Sequence, residues 1–61
     1  MNKDELYQKA YELFKQQGYA SVSLLCRKFD ITYNRAVKIM DQLEENGLVG
    51  PFEGSKTREV Y

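Results

Sequence analysis

Asn34, Arg35, Lys38 and Asp41 are the residues in this chain whose types and spacing could do chemistry. Each carries a planar or charged hydrogen-bonding head that matches a base edge in a DNA major groove. Arginine and lysine donate to guanine O6 and N7, asparagine pairs with adenine, and aspartate accepts from the amino group of cytosine. Within a helix they recur on or beside one face, at about 100° per residue. A second set could grip phosphates. Arg27, Lys56 and Arg58 supply positive charge, and Ser21 and Ser23 stand where a helix N-terminus leaves backbone amides unbonded. Such a face is also what an ordinary solvated helix presents, so its meaning depends on the elements that carry it.

Those elements follow from periodicity and punctuation. Leu6, Ala10, Leu13 and Phe14 mark one face of a helix predicted over Asp4 to Gln17. Asp4 and Glu5 would complement its positive end, Gly18 would stop it, and Tyr7 and Tyr11 would sit half-buried at the edge of the stripe. Tyr19-Ala-Ser-Val-Ser23 reads as a short extended link in which Ser23, or Ser21, caps a second helix from about Leu24 to Phe29. Leu25 and Phe29 would face the core. After the tight break at Asp30-Ile-Thr32, Thr32 caps a third helix from Tyr33 to about Asn46, and Gly47 ends it. Its apolar stripe is Ala36, Ile39, Met40 and Leu43. Asn34, Lys38, Asp41 and Glu45 lie opposite, with Arg35 and Gln42 flanking them.

Leu48-Val-Gly50 and the alternating Thr57-Arg-Glu-Val-Tyr61 then predict a hairpin, with Pro51 to Lys56 as its turn. The fold class is mainly α with a small β-hairpin: a winged helix-turn-helix of three helices plus a wing, in which the third helix presents its N-terminal turns to bases.

Composition narrows the function. Sixty-one residues make a single domain with one hydrophobic cluster, burying about 60% of the surface the unfolded chain exposes. The absence of histidine leaves no Ser-His-Asp or Cys-His arrangement and no zinc-finger ligand set. The four glycines fall at turns and helix ends rather than in a phosphate loop. Glu44 and Glu45 are neighbours on a helix and diverge, so they do not form an acid/base pair. The domain is expected not to be an enzyme and to need no cofactor or metal. The single cysteine, Cys26, is expected as a buried, inert thiol beside Leu24 and Leu25. No stretch is apolar enough to span a membrane, and no signal peptide is visible.

Nine basic residues balance nine acidic ones, which is unusual for a nucleic-acid binder. Their distribution is uneven. Residues 27–38 carry Arg27, Lys28, Arg35 and Lys38 against Asp30 alone; 41–53 carry Asp41, Glu44, Glu45 and Glu53; Lys56 and Arg58 follow. Double-stranded DNA is the first expectation. A protein-interaction winged helix and a stand-alone transcription regulator are the alternatives.

Ser21-Val-Ser23, Arg27-Lys-Phe29, Ile31-Thr-Tyr-Asn-Arg-Ala36, Ile39, Leu43-Glu44, Gly47-Leu-Val49 and Arg58-Glu-Val60 together resemble the gamma domain of FtsK/SpoIIIE-type bacterial DNA translocases. The likeness runs from about Tyr7 to Tyr61. It implies that residues 1–61 are the C-terminal winged-helix domain of a larger motor. That motor would be hexameric, driven by ATP and magnesium, and anchored in the inner membrane at the division septum, with this domain on the cytoplasmic face. It implies recognition of short, guanine-rich, polar sites that orient chromosome partition during cell division, and in some members contact with the XerD recombinase. Carried over by position, Asn34 and Arg35 match the family's recognition helix. Lys38 and Asp41 stand where arginine and glutamate are expected; charge is kept, but lysine lacks the bidentate fork. With so few cations, the isolated domain is expected to be a monomer that binds weakly, several copies to one site.

Overall fold

The computed structural model describes residues 4–51 and 57–61, and three helices make up most of them. The first, α1 (Tyr7–Gln17), begins three residues later than its apolar pattern predicts. The reason lies in Asp4. Its carboxylate Oδ1 accepts the Leu6 N–H at 2.9 Å and its carbonyl accepts the Tyr7 N–H at 2.9 Å, closing a turn ahead of the helix. Aspartate readily bonds its own backbone two residues on, and that local option competes with helix. Asp4 and Glu5 therefore precede the first turn instead of lying in it. At the other end Gly18 adopts φ 88° and returns its N–H to the Phe14 carbonyl, a left-handed stop that suits glycine.

The second helix, α2 (Val22–Phe29), starts two residues earlier than expected because Ser21, not Ser23, is the cap. Ser21 is extended, and its Oγ accepts the Leu24 N–H. Its neighbour Ala20 is held by two backbone bonds of 2.8 Å to Arg58, which fixes the extended geometry a cap requires. Asp30, in the left-handed region at φ 53°, turns the chain. Thr32 then caps α3 (Tyr33–Glu45), its Oγ1 accepting the Arg35 N–H at 3.2 Å. Asn46 closes α3, and Gly47 at φ 72° lets the chain leave it.

The core lies where the three apolar stripes meet. Tyr7, Ala10, Leu13 and Phe14 from α1, Leu24 and Leu25 from α2, and Ala36, Ile39, Met40 and Leu43 from α3 are buried together with Ala20 and Val49. Tyr7 goes deeper than its expected edge position, whereas Phe29 and Cys26 are only half-buried. The thiol of Cys26 is thus not enclosed as expected. It sits one residue past the inward-facing Leu24 and Leu25 on a helix whose turns carry it toward the rim.

Beyond α3 the chain forms isolated antiparallel bridges rather than full strands: Val49 with Val60, and Ala20 with Arg58. The final segment lies between the two others. Gly50 donates to the Glu59 carbonyl at 2.9 Å and Tyr61 to the Leu48 carbonyl at 2.8 Å. This is the base of the wing, and with the helix-turn-helix formed by α2 packed on α3 it makes a small winged-helix domain. Of the turn predicted over residues 51–56, positions 52–56, with Glu53 and Lys56, lie outside the described residues.

Candidate nucleic-acid interface

The outer face of α3 is built from the residues its periodicity assigns to it. Asn34, Arg35, Lys38, Asp41 and Glu45 are exposed, and Ala36, Ile39, Met40 and Leu43 are buried against α1 and α2. Packing on one side thus turns the polar side chains outward. Tyr33, at the first position of α3, is 67% exposed.

Among the described residues, two ion pairs rim this face, each between partners far apart in the sequence. On one side Arg35 meets Asp4 in a bidentate fork, Nε to Oδ2 at 2.9 Å and Nη2 to Oδ1 at 3.0 Å. The Arg35 hydrogen bond holds the Asp4 carboxyl below its ordinary value, against a smaller opposing effect of burial, and the Leu6 amide adds to the lowering. The same hydrogen bond raises Arg35 further above its already high value. On the other side Arg58 Nη1 lies 3.0 Å from Glu44 Oε1. Partners 31 and 14 residues apart in sequence leave no local trace of such pairs.

The residues expected on phosphates are distributed differently. Arg27 and Ser23 are exposed on α2. Ser21, by contrast, is only 7% exposed and spends its Oγ on the Leu24 amide, so it serves the helix rather than the surface. Arg58 is also turned inward: its side chain is 13% exposed and bonded to Glu44. Here a signal was available. Arg58 and Val60 share a face of the final segment by the two-residue alternation of extended chain, and Val60 packs on the core. Lys56 lies outside the described residues.

Among the described residues no group of histidine, cysteine, aspartate or glutamate side chains is disposed to hold a metal ion, and no helix is long and apolar enough to cross a membrane.

With this geometry in view, comparison with known proteins is decisive at one point. The whole chain, residues 1–61, matches the family described as the Ftsk gamma domain. The chain belongs to that family. It is 59% identical over 58 residues to a DNA translocase FtsK of Lactiplantibacillus plantarum, which takes in 95% of this chain but 7% of that protein. It is 56% identical over 57 residues, 93% of this chain, to the DNA translocase FtsK of Listeria monocytogenes and to the DNA translocase SpoIIIE of Bacillus subtilis. Those matches take in 8% and 7% of the two proteins. The gamma domain is therefore a small part of such relatives, and its exposed α3 face is flanked by the Asp4–Arg35 and Glu44–Arg58 pairs.

Proposed function

We propose that this gamma domain binds double-stranded DNA sequence-specifically and thereby orients a chromosome translocase during cell division. The observation that carries the reading is the outward face of α3. It offers Asn34, Arg35, Lys38 and Asp41 as a base-reading set directly after a short helix and a tight turn. A helix so presented enters the major groove while the preceding helix crosses the backbone. Arg27, Lys28 and Ser23, exposed on α2, take the phosphates, and the charge of Lys56 adds to them. Arg58 is held by Glu44 through Nη1, which offsets its charge toward a phosphate. The site read is short and guanine-rich, as the family resemblance implies, and Arg35 and Lys38 carry donors that suit guanine.

In this reading the domain itself is not catalytic. ATP and magnesium act elsewhere in the parent motor, which is held in the membrane at the septum with this domain on the cytoplasmic side. One module buries about 600–1,000 Å² on DNA, and Asp41, Glu44 and Glu45 are exposed on or beside the same helix face. A single copy therefore binds weakly, and several copies, tethered to one motor, share a site.

Selection on randomised duplex DNA tests this directly. The expected result is enrichment of a short, asymmetric, guanine-rich motif, bound by more than one domain in native mass spectrometry. No enrichment would remove the DNA reading. It would favour a protein partner, such as the XerD recombinase, for which the exposed Tyr33 and Tyr61 at 67% and 57% exposure offer aromatic anchors.

A further inference from the structure

We infer that Asp4 is a positioning residue for Arg35, a buttress that sets the specificity of the α3 face from outside the helix-turn-helix. The inference rests on the DNA-binding reading and names a residue on which that reading makes no demand.

The geometry of the fork carries it. Arginine presents five N–H donors along two usable edges. Asp4 occupies the side edge, made of Nε and one Nη2 hydrogen. The end edge, made of Nη1 and the second Nη2 hydrogen, is left for a partner that accepts two parallel bonds. Guanine, with O6 and N7 side by side in the major groove, is such a partner. The relative exposure of the two side chains agrees. Arg35 is 44% exposed and Asp4 19%, so much of the guanidinium arm stays open to solvent while its carboxylate partner is more covered.

Asp4 is itself immobilised, which a buttress requires. Its Oδ1 accepts the Leu6 amide and its carbonyl accepts the Tyr7 amide, tying it to the start of α1. Its own N–H donates to Gln42 Oε1 on α3 at 3.4 Å. The Arg35 backbone is anchored too, through Thr32 Oγ1. Both ends of the guanidinium arm are therefore held before any ligand arrives. Ordering one long side chain on binding weakens association by about two- to tenfold, and a residue ordered in advance avoids that loss. The negative charge of Asp4 simultaneously disfavours a bare phosphate beside Arg35. The arginine is thereby biased toward a base edge over indiscriminate backbone binding.

The experiment is a double-mutant cycle on the intact 61-residue chain. Asp4→Asn keeps one oxygen for the Leu6 amide and loses the second acceptor of the fork; Asp4→Glu retains the carboxylate. Binding is measured by fluorescence anisotropy to a labelled duplex carrying the selected site, and to the same duplex scrambled. A third duplex carries 7-deazaguanine, which lacks the N7 acceptor, in place of guanine.

Asp4→Asn should weaken the selected site about three- to tenfold and leave the scrambled duplex unchanged or slightly tighter. Asp4→Glu should recover part of the loss. In the Arg35→Ala background, or on the 7-deazaguanine duplex, Asp4→Asn should do nothing more, because Asp4 acts through Arg35. In the free protein, the Arg35 Nε–H resonance should shift and exchange faster in Asp4→Asn, a readout that needs no DNA. An unmoved resonance overturns the inference. So does equal weakening of both duplexes, which marks a purely structural role, or tightening on the selected site, which marks a blocking one. If the wild-type domain selects its site and Asp4→Asn selects it equally well, the inference alone fails. If the wild type prefers no duplex at all, the DNA-binding reading fails and the inference goes with it.

Discussion

Removing Arg27 tests which surface lies against the DNA backbone, and its effect can be worked out in advance. Arg27 and Lys28 are exposed near the end of α2, and no ion pair among the described residues engages either. Arg58 is the opposite case, 13% exposed and bonded to Glu44. Each cation that neutralises a phosphate contributes about 0.9 to the slope of log affinity against log salt. With Arg27, Lys28 and Lys56 on phosphates the slope is about −2.7, and raising salt from 50 to 200 mM weakens binding about forty-fold. Arg27→Ala should reduce the slope to about −1.8 and the loss to about twelvefold. Arg58→Ala should leave the slope where it was, because Glu44 already compensates that charge. The assay is anisotropy on a scrambled duplex at several salt concentrations, with circular dichroism confirming that each variant is folded. A flattened slope in Arg58→Ala with none in Arg27→Ala would refute the assignment and move the final segment, not α2, onto the phosphates. A wild-type slope near zero would refute phosphate contact altogether.

Three other outcomes are expected. Leu43→Ala empties a fully buried position beneath the polar face and should cost about 2–5 kcal/mol in urea denaturation. That is a large part of the roughly 3–9 kcal/mol expected for a chain of this length, and a loss under about 1 kcal/mol would contradict the packing described. Asn34→Ala should weaken the selected duplex by about 1–3 kcal/mol while leaving the scrambled duplex unaffected. Its thermal melt should match the wild type, since Asn34 is exposed, and early melting would place it in the fold instead. The Asp4 carboxyl is held low in the folded state by its Arg35 hydrogen bond. Its contribution to stability is complete above its unfolded value of about 3.9 and is lost as pH falls through the lower folded value. Wild type should therefore lose more stability than Asp4→Asn on acidification below about pH 4, and parallel acid curves would show that the pair contributes nothing in solution.

Much of this domain is legible along the chain because the physics that sets it is local. The stripe of Ala36, Ile39, Met40 and Leu43, the Thr32 cap and the stops at Gly18 and Gly47 each depend on residues within a turn or two of one another. The outward set of Asn34, Lys38 and Asp41 follows from the same period, so the candidate face could be read with the helix that bears it. The start of α2 could not. Ser21 and Ser23 are equally good caps in isolation, and Ser21 prevails because Ala20 is pinned to Arg58 from the far end of the chain. The start of α1 is set by a turn in which Asp4 binds the Leu6 and Tyr7 amides, a local signal that competes with the apolar stripe following it.

The linear order of residues determined which elements form and which faces they present, since hydrogen-bonded turns and apolar periods operate over three or four positions. Only the tertiary structure decided how the charged groups are spent. Arg35 and Arg58 look alike in sequence, two cations expected on DNA. One is forked on Asp4 with an open edge toward solvent, and the other is turned inward onto Glu44. Ion pairing acts through space over a few ångströms, and folding alone determines which distant carboxylate comes that close.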